Sequence, residues 1–120
     1  MQAKSHNQKL GKKGENLAAV YLADAGYELL VSNFRAGRGE IDLIVKKNGL
    51  LVFVEVKARA TANFGWPEEA VTPRKQELLL TAAQTYIEEM TWLHDARFDI
   101  ISVIGQGNNQ QILHIEDAFH

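Results

Sequence analysis

The sequence has no cysteine, only two prolines and no long apolar run among its 120 residues. Without thiols the chain cannot form disulfides, zinc-thiolate sites or a cysteine nucleophile. No stretch reaches the roughly 20 apolar residues of a membrane helix, and the lysine-containing N-terminal stretch lacks the apolar segment of a secretory signal. We therefore expect a cytoplasmic protein with no membrane contact.

An excess of one charge is also missing. Thirteen Lys and Arg stand against fifteen Asp and Glu, which gives a formal net charge of −2. Residues 1–75 carry twelve Lys and Arg against eight Asp and Glu, whereas residues 76–120 carry one against seven. A polyanion such as DNA would be bound by the first part, although an ordinary solvated charged face explains the same division equally well.

The remaining composition is that of a globular domain. Hydrophobic residues make up 46% of the chain and charged residues 23%, which argues against disorder and low complexity. The length suits one compact domain. We expect this domain to cover residues 1–120, with residues 1–8 as a flexible basic tail.

Apolar spacing predicts two long helices. Apolar side chains recur at three- and four-residue intervals from Lys9 to Ala25, and Gly26 ends that helix. The pair Thr72-Pro73 is typical of a helix start, and the second helix extends to about Thr91. Its predicted apolar stripe consists of Leu79, Ala82, Ala83, Tyr86, Ile87 and Met90.

Runs of β-branched and aromatic residues predict five strands. They lie at 27–34, on both sides of Asn48-Gly49 in the segment 39–59, at 98–104 and at 111–115. The resulting order, α-β-β-β-α-β-β, predicts an α/β fold in which helices cover a sheet.

The segment around Asn48-Gly49 predicts a β-hairpin with a defined register. This dipeptide favours a two-residue turn because both positions tolerate positive φ. The register then places Asp42 opposite Glu55 and Glu40 opposite Lys57, and the alternation of side chains puts all four on one face. The other face is predicted to be apolar and to pack on the core: Ile41, Leu43, Val45, Val52, Val54 and Val56.

The predicted proximity of Asp42 and Glu55 points to a metal site. Directly opposed strand residues have Cβ atoms about 4.5–5.5 Å apart, so two carboxylates would repel each other there. A divalent cation such as Mg²⁺ or Mn²⁺ removes that conflict because it binds carboxylate oxygens, and the carbonyl of Val56 is a plausible further oxygen ligand. Lys57 points to the same face, where its ammonium can assist a water nucleophile or stabilise charge on a phosphate.

Other charged residues have weaker assignments. Glu15 could reach the same metal through water, but acids are also favoured in the first turn of a helix by its dipole. Arg35, Arg38, Arg59 and Lys75 are candidate nucleic-acid contacts, and solvated charges at element ends explain them as well. These four basic residues form the candidate nucleic-acid interface.

An ordinary structural explanation of the hairpin charges is also open. They could form the solvent-facing side of a sheet, with a cross-strand pair between Glu40 and Lys57. Ile44 and Phe53 lie among them and favour a cleft with restricted water.

Several short motifs in combination closely resemble the YraN-like bacterial proteins. The motifs are Gly-x-x-Gly-Glu at 11–15, Ala18 with Tyr21-Leu22, Asn33-Phe34-Arg35, Gly39-Glu40-Ile41-Asp42-Leu43-Ile44, Phe53-Val54-Glu55-Val56-Lys57-x-Arg59, Phe64-Gly65-x-Pro67 and Arg97-Phe98-Asp99. That family looks like a minimal member of the PD-(D/E)XK restriction-endonuclease-like superfamily, similar to archaeal Holliday-junction resolvases. The resemblance implies an α-β-β-β-α-β core with a mixed central sheet flanked by helices.

The resemblance also implies roles for individual residues. Asp42 resembles the metal-binding aspartate of the superfamily, and Glu55 and Lys57 resemble the acidic residue and the lysine of its second motif. Glu15 resembles the glutamate of the first helix that completes the site in resolvase-like members. Ile41 departs from the pattern, since the name of the motif has proline at that position.

These observations lead to one leading hypothesis and two alternatives. The leading hypothesis is a Mg²⁺- or Mn²⁺-dependent nuclease that hydrolyses DNA, including structured or branched DNA. A non-catalytic nucleic-acid-binding or assembly module with the same fold is the first alternative, and a protein-interaction domain with no nucleic-acid role is the second. Because cutting two strands symmetrically needs two sites, fold-level analogy also suggests a homodimer.

Overall fold

The structure is a computed structural model that describes residues 6–59, 71–105 and 107–119. Its elements follow the predicted order and are α1 (His6–Asp24), β1 (Glu28–Ala36), β2 (Gly39–Lys47), β3 (Leu50–Arg59), α2 (Pro73–Met90), β4 (Ala96–Ile104) and β5 (Gln111–Ile115). A short 3-10 helix, Gly107–Asn109, precedes the last strand. The predicted loop with Gly65 and Pro67 lies outside the described residues.

The five strands form one mixed sheet in the order β1-β2-β3-β4-β5. Neighbours are antiparallel except for β3 and β4, which are parallel. This pair is the one whose connection contains α2, as a parallel crossover requires. The predicted α/β class is confirmed, and the mixed sheet with two helices is consistent with a restriction-endonuclease-like core.

The sheet separates two apolar clusters. On one face, Leu79 and Tyr86 of α2 pack with Phe53 and Ile100 of the sheet. On the other, Ala18 and Leu22 of α1 belong to a cluster with sheet residues that include Val45, Val52 and Val54. Both faces of the hairpin strands are therefore covered, which explains why Ile44 and Phe53 are buried among charged neighbours.

The helix ends match the predicted ones closely. Thr72 caps α2, with its hydroxyl oxygen accepting a hydrogen bond from the Lys75 N–H at 3.2 Å, and Pro73 begins the helix. After α1, Gly26 has a φ of +94°. Two details differ: α1 begins at His6 and not at Lys9, and Met90 is 57% exposed and lies outside the buried stripe.

The hairpin confirms the predicted register near its turn. Asn48 and Gly49 have φ angles of 51° and 78°, and the strand pairing extends from Lys47–Leu50 to Leu43–Val54. Beyond that point the prediction fails for Ile41, which packs on the α2 face. Counted from the turn, the last paired residues of β2 and β3 are Leu43 and Val54. The alternation of side chains inferred from the turn therefore does not extend to Ile41.

Two glycines let the helices approach the sheet. A Cβ at Gly39 would collide with the carbonyl oxygen of Leu78, so the start of β2 lies directly under α2. A Cβ at Gly14 would lie 2.7 Å from the Cβ of Ala58, so the N-terminal half of α1 lies close to the end of β3. Both contacts bring helix residues toward the ends of β2 and β3 that carry the predicted site.

Candidate active site

A cavity of about 320 Å³ lies between the hairpin strands and the first turns of α2. Asp42 and Glu55 both line it, as the sequence predicts for two residues on one face. Its other charged side chains are Arg38, Glu40, Arg74 and Lys75, and the apolar Leu78 and Leu79 form part of the wall. The candidate site is therefore a cavity that combines charged side chains with an apolar wall and is bounded on one side by α2.

Asp42 is held by the main chain of the neighbouring strand. Its Oδ2 accepts a hydrogen bond from the Val56 N–H at 2.8 Å. Burial, together with the negative charge of Glu55, raises the pKa of Asp42 to about 7, and the charge of Glu15 adds to this rise. Around neutral pH the Asp42 carboxyl is thus divided between its protonated and ionised forms.

Glu55 is the most enclosed carboxylate of the site, with only 6% of its surface exposed. Its Oε1 lies 2.7 Å from the Lys75 Nζ and 3.6 Å from the Lys57 Nζ. Its Oε2 is buried and has no hydrogen-bond partner within the part of the chain that the structure describes. A buried carboxylate oxygen without a partner is unfavourable, so this atom marks a position where a cation would stabilise the site.

The two lysines on Glu55 differ in their electrostatics. Burial lowers the pKa of Lys57, and the neighbouring Lys75 lowers it further against the attraction of Glu55. Burial alone would also lower the pKa of Lys75, but the hydrogen bond and charge of Glu55 outweigh it and raise this pKa. The two ammonium groups therefore share one carboxylate, with Lys75 making the closer contact.

The position of Lys75 is the main feature that sequence reasoning missed. The sequence suggests a helix-end charge that contacts nucleic acid or solvent, whereas the structure places its ammonium on Glu55 and in the cavity wall. Lys57 contacts Glu55 as well. The described residues that line the cavity do not include Lys57. The Thr72 cap is the signal that could have found this, because it fixes where the first turn of α2 begins.

Glu15 and Asn33 form an outer layer of the site. With its side-chain nitrogen turned toward the acids, Asn33 donates to Glu15 Oε1 at 3.0 Å and to Glu40 Oε1 at 3.3 Å. Asn33 has a φ of 55°, which is uncommon for a residue inside a strand. Sequence reasoning gave Asn33 no role, although it lies in one of the family motifs.

The remaining candidates lie around this centre. Glu40 stands opposite Arg35 of β1, and its Oε2 lies 3.6 Å from Arg35 Nη2. The pairing of β2 with β3 does not extend to Glu40, so its predicted position opposite Lys57 stays a prediction. Arg38 lines the cavity. Arg59 is the last residue of β3, and its carbonyl accepts a hydrogen bond from the Gly105 N–H at 2.8 Å.

Within the described ranges, no group of three or more His, Asp or Glu side chains is arranged to hold a metal ion. The acidic ligands that the site itself offers are Asp42 and Glu55. That number suits Mg²⁺, which usually keeps several waters and takes one or two carboxylates together with substrate phosphate.

Neither helix in the described part of the chain has the length and apolarity to cross a bilayer.

Comparison with known proteins identifies relatives along nearly the whole chain. Residues 14–103 match the model of the uncharacterised protein family UPF0102. A UPF0102 protein of Chloroherpeton thalassium is 43% identical over 122 residues, covering 94% of this chain and 95% of the relative. A UPF0102 protein of Geobacter metallireducens is 44% identical over 115 residues, covering 95% and 94%.

A third relative, a UPF0102 protein of Syntrophomonas wolfei, is 44% identical over 114 residues and covers 94% of this chain and 99% of its own length. The match therefore extends over both helices and at least the first four strands, including every residue placed in the cavity. The resemblance to YraN-like proteins is confirmed at the level of the family. The chain belongs to the uncharacterised protein family UPF0102.

Proposed function

We propose that the chain is a divalent-metal-dependent nuclease of the PD-(D/E)XK type that hydrolyses phosphodiester bonds of DNA. The observation that carries the proposal is Glu55, which lines the same cavity as Asp42 and whose buried Oε2 has no hydrogen-bond partner among the described residues. Two enclosed carboxylates, one of them with a raised pKa, are costly to the fold without a cation. A functional site accounts for that cost.

The donor set fits Mg²⁺ or Mn²⁺. Carboxylate and carbonyl oxygens are the ligands that these cations prefer. Val56 donates its N–H to Asp42, and the carbonyl of a strand residue leaves the strand on the same side as its N–H. Asp42, Glu55 and the Val56 carbonyl are therefore the proposed ligands.

When bound, the ion would supply Lewis-acid polarisation of a phosphate oxygen and a water of lowered pKa. Asp42 must lose its proton to act as a ligand, which its pKa of about 7 permits at neutral and mildly alkaline pH. The Lys57 ammonium, beside Glu55, would stabilise negative charge developing on the phosphate. Glu15, held by Asn33, would orient water at the edge of the site.

The cavity wall favours a phosphate-bearing substrate. Arg38, Arg74 and Lys75 line the cavity, and the first turn of α2 carries the positive end of the helix dipole. These groups would position the backbone of DNA without reading its sequence. Arg35 and Arg59 are proposed to extend this contact beyond the cavity.

A cleavage assay tests the proposal. The wild-type protein with Mg²⁺ or Mn²⁺ is expected to cut at least one of single-stranded, duplex, flap and four-way-junction DNA, whereas Asp42→Asn and Glu55→Gln lose activity. Glu28→Gln is the matched control, because Glu28 is an exposed acid that pairs with Lys46 at the other end of the hairpin. Equal rates for wild type and Asp42→Asn would contradict the proposal.

One observation favours the non-catalytic alternative. Lys57 and Lys75 already balance the charge of Glu55 without any ion. In a binding or assembly module that keeps the fold, DNA binding would need no divalent ion and would survive Asp42→Ala and Lys57→Ala. The homodimer and the cytoplasmic location stay predictions under either function. Sedimentation velocity tests the homodimer.

A further inference from the structure

Two ammonium groups compete for one oxygen of Glu55. Lys75 Nζ lies 2.7 Å from Oε1, a close ionic hydrogen bond, while Lys57 Nζ lies 3.6 Å from the same atom. The other oxygen of Glu55 has no hydrogen-bond partner in residues 6–59, 71–105 and 107–119. The charge of Glu55 is therefore balanced mainly through Oε1, and mainly by Lys75.

Lys75 is also placed to move. Its main chain is fixed in the first turn of α2 by the bond to Thr72, but its side chain is 37% exposed and lines the cavity. Four rotatable bonds let the ammonium leave Glu55 without any shift of the helix. Lys57 lies in a strand with a side chain only 23% exposed, so it has less freedom to leave.

A divalent ion bound to Asp42 and Glu55 would face the Lys75 ammonium at short range. Like charges that share one carboxylate repel each other, so each weakens the binding of the other. The nearest alternative anion for the displaced ammonium is a substrate phosphate in the same cavity. Lys75 would then pair with Glu55 in one state and with phosphate in the other.

We propose that Lys75 is a tethered counter-ion, which holds Glu55 in the metal-free protein and transfers to a phosphate of the nucleic-acid substrate when a divalent ion binds. This inference rests on the proposed function. It adds that binding of the ion and binding of the phosphate are coupled: each favours the state of Lys75 that the other needs. Such coupling is reciprocal by thermodynamic necessity.

The first test measures ion binding to the protein alone. Titration calorimetry with Ca²⁺, which takes oxygen ligands as Mg²⁺ does, is expected to show Lys75→Gln binding about 3- to 10-fold tighter than wild type. Lys75→Arg keeps the cation and is expected to keep the wild-type affinity within about twofold. Circular dichroism checks that each variant is folded.

Arg74→Gln is the matched control. Arg74 lines the same cavity and belongs to the same helical turn, but it pairs with Glu77 at 3.3 Å. Its removal takes away one positive charge without breaking a contact to Glu55. A gain in Ca²⁺ affinity as large as that of Lys75→Gln would show that only general charge matters, and it would overturn the proposal.

The second test measures the coupling itself. Fluorescence anisotropy gives the affinity for a labelled DNA duplex with and without Ca²⁺. The ion is expected to strengthen DNA binding at least threefold more in wild type than in Lys75→Gln. Equal strengthening in both proteins would overturn the counter-ion role.

The two proposals fail in different ways. If wild type binds Ca²⁺ and Asp42→Asn does not, the metal site stands, and an unchanged or weaker affinity of Lys75→Gln rejects the counter-ion alone. If Asp42→Asn binds Ca²⁺ as well as wild type does, the metal site itself is wrong, and the counter-ion role is rejected with it.

Discussion

At the scale of single residues, the half-buried Asp42 and the buried Asp99 have opposite electrostatics. Asp42 is surrounded by other acids and has a raised pKa. Asp99 is fully buried, yet hydrogen bonds from His114 and Arg97 offset the effect of burial and hold its pKa below the usual range. An acid that the fold disfavours in its charged form suggests function, whereas one with a full set of partners suggests structure.

Asp42→Asn is predicted to stabilise the metal-free protein. Because the pKa of Asp42 rises from 3.8 when unfolded to about 7 when folded, the folded state holds the proton more tightly, and wild-type stability falls as pH rises between these values. Asparagine removes this ionisation and can still accept the Val56 hydrogen bond. The gain should grow up to about pH 7 and level off at about 2–4 kcal/mol, because a difference of one in pKa is worth about 1.4 kcal/mol and partial exposure reduces the full effect.

Urea denaturation with a chelator present, at several pH values between 4 and 9, measures this difference. Glu28→Gln is again the control, since an exposed acid should change the free energy of unfolding by less than about 0.5 kcal/mol. A variant that is less stable than wild type at pH 8 would show that Asp42 is not disfavoured in its charged form.

Asp99→Asn is predicted to have the opposite effect. Asp99 accepts bonds of 2.7 Å from Arg97 at both oxygens, and its Oδ2 lies 2.7 Å from His114 Nε2. Its lowered pKa adds stability that is present above the ordinary aspartate pKa of 3.8 and is lost as pH falls through the folded value. Removing the charge at pH 7 should cost about 3 kcal/mol, because Arg97 is left half-buried without its main partner.

Thermal or urea unfolding at pH 7 measures the cost. Glu116→Gln serves as the comparison, since the exposed Glu116 pairs with the same arginine at 3.5 Å and should contribute less than about 1 kcal/mol. Similar losses for both variants would mean that the enclosed Asp99 contacts have no special weight.

At the scale of elements, the position of α1 depends on one glycine. A Cβ at Gly14 would lie 2.7 Å from the Cβ of Ala58, whereas a Cβ at Gly11, one turn earlier in the same helix, would meet no atom of the described residues within 4 Å. Gly14→Ala should therefore push α1 away from β3 and destabilise the fold by about 1–3 kcal/mol. Gly11→Ala should stabilise it by about 0.5–1 kcal/mol, because alanine is the better helix former.

Denaturation of the two variants tests this contrast, and the Gly14 variant carries a second expectation. Glu15 follows directly on Gly14, so a displaced α1 should weaken the contact between Glu15 and Asn33 and reduce the influence of Glu15 on Asp42. If Gly14→Ala is as stable as Gly11→Ala, the close approach of α1 to β3 is not required.

Sequence patterns predict the elements well because each pattern is local. Asn48-Gly49 defines its own turn, and Thr72-Pro73 defines its own helix start. The same local rules fail at Ile41, where the β2–β3 register recorded from the turn has already ended, and at Met90, where the last turn of α2 extends past the core.

The shared cavity of Asp42 and Glu55 was predictable for the same reason, since one hairpin carries both. The contact of Lys75 with Glu55 was not predictable, because it depends on how α2 lies across the sheet. The two residues are 20 positions apart, and no periodic sequence pattern links them. Asn33 was missed for a similar reason: its amide joins acids from α1 and β2, which only the folded chain brings together.

At the scale of the whole molecule, the cations that line the cavity all come from the basic part of the sequence. Basic residues Arg38, Arg74 and Lys75 line the cavity. The acidic part of the sequence supplies most of α2 and the last two strands, and β4 pairs with β3 beside Glu55. The net charge of −2 therefore conceals three cations that line the candidate site together with three acids.

The small number of cations at the candidate site predicts a shallow salt dependence of DNA binding. Each neutralised phosphate of a duplex contributes about −0.9 to the slope of log K against log salt concentration. With the three cavity cations and the proposed contacts of Arg35 and Arg59, the slope should be about −4.5, which is still shallower than that of a strongly basic DNA-binding domain. Affinity should then depend on the divalent ion and on local geometry more than on bulk charge.

Removing single cations tests which part of the surface is used. Arg38→Gln should reduce the magnitude of the slope by about one, because it removes one phosphate contact. Lys46→Gln removes the same charge at the turn end of the hairpin, where Lys46 pairs with Glu28, and should leave the slope unchanged. Anisotropy titrations over a range of KCl concentrations measure both, and equal slopes for the two variants would show that DNA does not approach through the cavity.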